Sequence, residues 1–352
     1  MDSPSATWEI SRLRDGKQLR RAVVSAFTLI ELLVAMAVSL LLLLVMLSEV
    51  VGFASAKWRT VSDKSKSFED ARVAFDTITR SLSQAMLGTY LEYYDANGVP
   101  FPLASNTSAT NSLVSAFRPA AYGRFSYLHF VAAANLVPGQ KTHAVFFQSP
   151  LDFSGTGSAG EILSRLNAVG YYIEYANDSA DRPPEFAAGS KKKYRLMQTL
   201  QRTQNLEVFS GTSRAWIDAA VSQSRLLAEN VICLIVWPKK PDEEGAVTGA
   251  NLIAPNYTYD TRGSTWSSVT TGSRQPIQMH QLPPTVRLLM VAIEESSAAR
   301  LDGTENFTAG LFTNPANYQS DLDTLETNLR NAHMGYRIFQ SDVPIRAAKW
   351  SE

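Results

Sequence analysis

The stretch Phe27 to Leu47, FTLIELLVAMAVSLLLLLVML in one-letter code, holds 21 residues and a single charge, Glu31. As a helix rising 1.5 Å per residue it spans about 31 Å, one bilayer hydrocarbon thickness. The next charge is Glu49, and neither proline nor glycine interrupts the run before Gly52. This segment is expected to cross a membrane. A polar leader with Arg12, Arg14, Lys17, Arg20 and Arg21 precedes it, and Lys57, Arg59, Lys64 and Lys66 follow it. Five basic residues against four, with Arg20 and Arg21 nearest the apolar run, favour a cytoplasmic N-terminus.

Helical periodicity continues beyond the apolar run. Phe68, Ala71, Phe75, Ile78, Leu82 and Ala85 recur at three- and four-residue spacing, with Arg72, Asp76 and Arg80 off that face. Gly88 is a natural helix stop. One helix from Phe27 to Leu87 would measure roughly 90 Å, its first half in lipid and its second half offering a stripe to a globular domain. The expected organisation is therefore a leader over 1–26, a transmembrane helix over 27–51, an amphipathic continuation over 52–87 and a β-rich domain over 88–352.

From Gly88 onward the chain breaks into short aromatic and β-branched runs separated by Gly, Pro, Asn and Ser. Strands are expected at Tyr127–Ala132, His143–Gln148, Gly170–Tyr175, Lys193–Leu200, Val231–Pro238, Val286–Glu294 and Met334–Phe339. Ser213–Asn230 reads as a helix feeding the strand that carries Cys233. Polar loops occupy Ala104–Ser112, Asp178–Ser190, Asp242–Arg274 and Asp302–Asn317. The fold class is α+β: a long N-terminal transmembrane helix continuing into a domain built on a mostly antiparallel β-sheet with long loops.

Composition narrows the chemistry. Lysine plus arginine and aspartate plus glutamate each number 33, so the basic excess of a phosphate-neutralising nucleic-acid binder is missing. The lone cysteine, Cys233, excludes an intramolecular disulfide or a thiolate zinc cluster, and it lies in an apolar run where burial would leave it inert. His129, His143, His280 and His333 lack any metal-ligand spacing, so no metal site is expected. Asp95-Ala96-Asn97-Gly98 resembles the start of a calcium loop but has no closing glutamate, and reads as a turn.

Gly155-Thr156-Gly157-Ser158-Ala159-Gly160 fits G-x-G-x-x-G. It starts seven residues after its strand and precedes too short a helix, so it reads as a solvated loop and no cofactor is expected. No G-x-S-x-G elbow occurs, and no catalytic residues are assigned. Lys191-Lys192-Lys193 reads as a solvated strand start, and the aromatics of Tyr90–Tyr94 as either a partner surface or packing beneath a loop.

Glu31 is the informative charge, because a carboxylate at this depth costs roughly 2.5 kcal/mol unless paired or able to reach the headgroups. Ala26-Phe27-Thr28-Leu29-Ile30-Glu31-Leu32-Leu33-Val34-Ala35 resembles the class III signal of type IV pilins and type II secretion pseudopilins. That resemblance implies cleavage by a prepilin peptidase between Ala26 and Phe27, with N-methylation of Phe27. It also implies an inner-membrane protein with a cytoplasmic N-terminus and a domain that is periplasmic or in an extracellular fibre. Glu31 would be the assembly carboxylate, pairing with the amine of a neighbouring pilin or pseudopilin. Ala26 stands where the family carries glycine.

The order of Phe68-Glu69-Asp70-Ala71-Arg72, an aromatic strand and Leu282-Pro283-Pro284-Thr285-Val286-Arg287 is similar to the J-type minor pseudopilin. Tyr194-Arg195-Leu196-Met197, Ala228-Glu229-Asn230-Val231 and Phe339-Gln340-Ser341-Asp342-Val343-Pro344-Ile345-Arg346 are similar to the Verru_Chthon cassette protein C family. The resemblance implies a structural subunit without enzymatic activity. Against it stand a plain membrane anchor and an ordinary secretory signal cut after Ala56, in the Ala54-Ser55-Ala56 motif, which would release a binding domain or enzyme.

Overall fold

The computed structural model describes residues 28–101, 117–150, 166–177, 192–209, 214–241, 243, 252–267, 269, 272–303 and 305–351. The expected leader, the Ala26–Phe27 cleavage pair and the Gly155–Gly160 motif lie outside these residues. The chain divides into two compact units, Met1–Arg59 and Thr60–Glu352.

Helix α1 covers Leu29–Ser83. Within the first unit, Leu29–Ser55 is long and apolar enough to cross a membrane, and none of its side chains is buried. Within the second unit Ala71, Ala74, Phe75, Ile78 and Leu82 are all buried while Arg72 and Asp76 face outward, as the three-four spacing predicts. The helix ends at Ser83, earlier than the Leu87 limit read from sequence. Tertiary partners end it: the Met86 N–H donates to the Gln148 carbonyl at 2.8 Å, and the Ser149 hydroxyl reaches the Ser81 and Gln84 carbonyls at 3.4 and 3.3 Å. Polar groups that a further turn would have used are thereby satisfied.

The second unit is built on antiparallel sheets. The largest has the order β7-β6-β5-β4-β3-β9, formed by β3 (Val131–Ala134), β4 (His143–Ser149), β5 (Asn167–Asn177), β6 (Lys192–Gln201), β7 (Ser224–Glu229) and β9 (Tyr259–Asp260). A second sheet has β10 (Thr285–Ile293) between β8 (Val231–Lys239) and β11 (Tyr336–Pro344). A separate ribbon pairs β1 (Tyr90–Tyr94) with β2 (Ala121–Phe125). Asn230 transfers the chain from the first sheet to the second in a single residue. It adopts φ +61°, its N–H donates to the Tyr194 carbonyl, and its carbonyl accepts from Ile293. Asparagine tolerates this left-handed conformation better than most residues.

Alternation along the strands places helices on both faces of each sheet. The Ser81 and Tyr171 hydroxyls meet at 2.8 Å, which sets α1 on the Phe147–Tyr171 face of the large sheet. Helix α2 (Ala215–Val221) lies on the opposite face, with Trp216 edge-on to Phe146 at 6.2 Å. Phe75 of α1 packs on Phe339 of β11 at 5.8 Å. Across that strand the Tyr318 hydroxyl of α4 (Tyr318–Asn331) donates to the neighbouring Gln340 at 2.9 Å. A short α3 (Glu295–Ala298) follows β10. Gly170 is required where β5 crosses β4, because a Cβ there would lie 2.2 Å from the Phe146 ring.

Several sequence expectations need correction. The strand expected at Tyr127–Ala132 begins only at Val131. The N–H groups of Leu128, His129 and Phe130 donate instead to side-chain oxygens of Ser126, Gln148 and Thr261, so no ladder forms there. The helix expected over Ser213–Asn230 is confined to Ala215–Val221, because Ser224–Glu229 pairs with the exposed side of β6. The strand expected at Met334–Phe339 runs over Tyr336–Pro344 in register with all of β10. Strands β1, β2 and β9 and helix α4 were not anticipated. The α4 helix nevertheless carries a helical stripe, Tyr318, Leu322, Leu325 and Leu329, all buried.

Candidate functional site

Two constellations qualify: the first turn of α1 and a polar cluster buried beside the large sheet. At the first turn, Thr28 precedes the helix and Glu31 stands three residues on. The Glu31 carboxylate accepts from the Thr28 N–H at 3.1 Å and from its hydroxyl at 3.0 Å, and the Glu31 N–H donates back to the Thr28 hydroxyl at 3.3 Å. This reciprocal box satisfies orphan donors at the start of the helix and places a negative charge at its positive end. The carboxylate is therefore folded back on its own chain, at the start of an exposed apolar stretch. Ala26 and Phe27, the other assigned residues of this site, lie outside the described residues.

The polar cluster was invisible in the sequence. The Trp216 indole N–H donates to His129 Nδ1 at 3.0 Å. Since that nitrogen must accept, Nε2 carries the proton and donates to Asp260 Oδ1 at 2.7 Å. Asp260 also accepts from Arg214 Nε at 3.0 Å and from the Arg262 backbone N–H at 2.8 Å. Burial works to raise the Asp260 carboxyl, but the bonds from His129, Arg214 and Arg262 outweigh it and hold it well below the ordinary carboxylate range. Burial lowers His129 against the pull of Asp260.

A buried histidine beside an aspartate is the geometry of an oriented general base, but here both ring nitrogens are engaged. None remains to take a proton from a substrate, and the His129 side chain is fully buried. The cluster instead ties α2, β9 and the segment before β3 together. His129 and its partner Asp260 are separated by 131 residues, and no local motif could have announced the cluster.

The remaining candidates resolve individually. His143 is buried, its Nδ1 accepts from the Val236 N–H at 3.3 Å, and burial lowers its pKa to about 4. Together with Thr142, which accepts from Leu234, it covers the open edge of β8. Cys233 is buried in β8, and desolvation pushes its thiol up. His333 is exposed. Among the described residues no three His, Cys, Asp or Glu side chains converge to hold a metal ion.

Asp95–Gly98 forms a turn in which the Asp95 carboxylate accepts from the Asn97 and Val99 N–H groups, with Gly98 at φ +77°. Lys193 is paired with Glu229 and Glu295, both at 2.9 Å. In β1, Tyr90, Leu91 and Tyr93 are exposed and Tyr94 is buried. Comparison with protein-family models, with curated proteins and with solved structures finds no match to this chain.

Proposed function

We propose that this chain is a pseudopilin-like minor structural subunit. A prepilin peptidase cuts it between Ala26 and Phe27 and methylates Phe27. The helix then holds it in the inner membrane with the globular unit outside the cytoplasm. Subunits assemble through their N-terminal helices into a pilus or a type II secretion-like fibre, and Glu31 receives the amine of the next subunit. The observation that carries the reading is the placement of Glu31: a carboxylate in the first turn of an exposed apolar stretch, satisfied among the described residues only by its own Thr28. In lipid that arrangement leaves most of the charge uncompensated, and an incoming ammonium would replace weak local bonds with an ion pair and fix axial register.

The short stretches that carry the resemblance to pseudopilins supply a second line of support. Tyr194–Met197 lies in β6, Ala228–Val231 forms the pivot between the sheets, Leu282–Arg287 leads into β10, and Phe339–Arg346 includes most of β11. All four belong to strands or to the turns that lead into them, which suits an assembly subunit and needs no catalytic residue. Intact-mass measurement and N-terminal sequencing of the native protein test the reading. A chain beginning at N-methylated Phe27 is expected. One beginning at Lys57 means a secreted domain, and an uncut leader means a plain anchor. Glu31→Ala is expected to abolish assembly while leaving membrane insertion intact, and unchanged assembly would remove the role given to that carboxylate.

A further inference from the structure

A cavity of about 390 Å³ opens where the segment after α1 meets the C-terminal residues. Its walls come from Met86–Leu91, from Arg124 on β2, from His280–Leu282 and from Ala347 and Lys349. Met86, Leu87, Leu91 and Leu282 supply apolar lining, and Arg124 and Lys349 supply cationic groups. Among the described residues the Arg124 guanidinium donates only to neutral oxygens: the Ser351 hydroxyl at 2.8 Å, the Pro276 carbonyl at 3.2 Å and the Met279 carbonyl at 3.4 Å. Guanidinium carries five N–H donors, so two remain. Burial disfavours its charge, yet no carboxylate among the described residues lies within ion-pair reach of it or of Lys349.

His280 stands in the wall of the same cavity. Its residue is only 7% exposed, and its Nδ1 has no hydrogen-bond partner. The ring is mounted rigidly. The backbone is held at φ +53°, the His280 N–H donates to the Thr261 carbonyl at 2.9 Å, and its own carbonyl accepts the Thr89 hydroxyl at 2.8 Å. The Phe125 ring lies 4.9 Å away. A buried polar nitrogen without a partner costs free energy, and so does a half-buried cation without an anion. The second cost falls on the cavity, and an anion bound there would remove it. A left-handed backbone at a bulky residue is the kind of local strain that clusters at binding sites.

We propose that this cavity binds a carboxylate bearing an apolar substituent, with Arg124 and Lys349 receiving the charge and Leu91 and Leu282 flanking the tail. Two sources share that chemistry: a small organic acid, and the terminal or side-chain carboxylate of a polypeptide. The site lies wholly within the globular unit and is independent of the assembly reading.

Calorimetric titration of the full chain in uncharged detergent micelles tests it, with hexanoate, hexanol, and the dipeptide acetyl-Ala-Leu as free acid and as amide. Saturable binding of hexanoate but not hexanol identifies a small-acid site. Binding of the dipeptide acid, but not of its amide or of hexanoate, identifies a polypeptide source. In either case Arg124→Gln is expected to weaken binding at least tenfold. If that variant misfolds, Lys349→Gln together with a ligand-induced shift of the His280 ring resonance in the unaltered chain supplies the same check. Failure of both acids to bind overturns the proposal, as does binding unchanged in the Arg124 and Lys349 variants. Binding that emerges only after Glu352→Gln would overturn it too, because the side-chain carboxylate of that residue would then be the occupant.

Discussion

Helix α1 contains two stretches of the same secondary structure with opposite surroundings. Over Leu29–Ser55 nearly every side chain is apolar and none is buried; Leu40 is 67% exposed and Phe53 68%. Over Ala71–Leu82 fewer residues are apolar, yet Ala71, Ile78 and Leu82 are 0% exposed. Apolar content alone is thus a poor guide to burial within the protein. A helix that is apolar all round has no face to direct toward a sheet and is matched to lipid, whereas a stripe bounded by Arg72, Asp76 and Arg80 can be buried on one side only. The comparison also separates two kinds of glutamate and aspartate. Glu31 is held by its own first turn, and Asp260 by residues drawn from distant parts of the chain.

Substitutions that exchange the character of the two stretches test this contrast most strongly. Ile78→Asp buries an unpaired carboxylate and is expected to abolish cooperative unfolding of the globular unit. Leu40→Asp should leave that unfolding unchanged while weakening membrane insertion by about 2.5–3.5 kcal/mol, read in an insertion assay. A milder version is Leu82→Ala, expected to cost about 2–5 kcal/mol in denaturant titration of the full chain in micelles, against no measurable change for Leu40→Ala. Equal effects at both positions would erase the distinction.

Acid sharpens it further. His143 and His280 have folded pKa values lowered by burial to about 4, below the unfolded value of about 6.5. The unfolded chain therefore binds more protons in that window. Stability of the globular unit is expected to fall by about 1.4 kcal/mol per pH unit for each of these histidines as pH drops from 6.5 toward 4. His143→Gln should remove one such contribution from the slope measured by thermal unfolding. Asp260, held low, adds its own loss only below the ordinary aspartate range near 4. The stretch Leu29–Ser55 has no histidine, and its far-ultraviolet helical signal should not follow that window. The smallest expected effect is Thr28→Ala. Losing the box should cost about 1 kcal/mol, confined to faster amide exchange in the first turn of α1.

Legibility tracked locality. The apolar run, the α1 stripe and strands such as His143–Ser149 and Val231–Lys239 carry their signal within a few consecutive residues, and each lies close to where the pattern placed it. The buried stripe of α4 was just as local and went unread because polar residues dominate the segment between its leucines. β1, β2 and β9 are short, and β9 exists only because Tyr259 and Asp260 meet Ala132 and Val131. The failed strand at Tyr127 shows the reverse: a β-prone run whose backbone found side-chain acceptors supplied by Gln148 and Thr261. Of the candidate sites, Glu31 was readable as the lone charge in an apolar run, while its box with Thr28, the partners of His129 and the cavity around Arg124 and His280 were not.

By itself the sequence determined what depends on near neighbours: a helix long and apolar enough to span a bilayer, a charge three residues inside it, a second helical stripe and a set of β-prone runs. Only the tertiary structure decided where α1 ends, which strands share a sheet, and which buried polar atoms find partners. Those outcomes turn on hydrogen-bonding groups far apart along the chain. Their energies become comparable only once packing has removed water from between them.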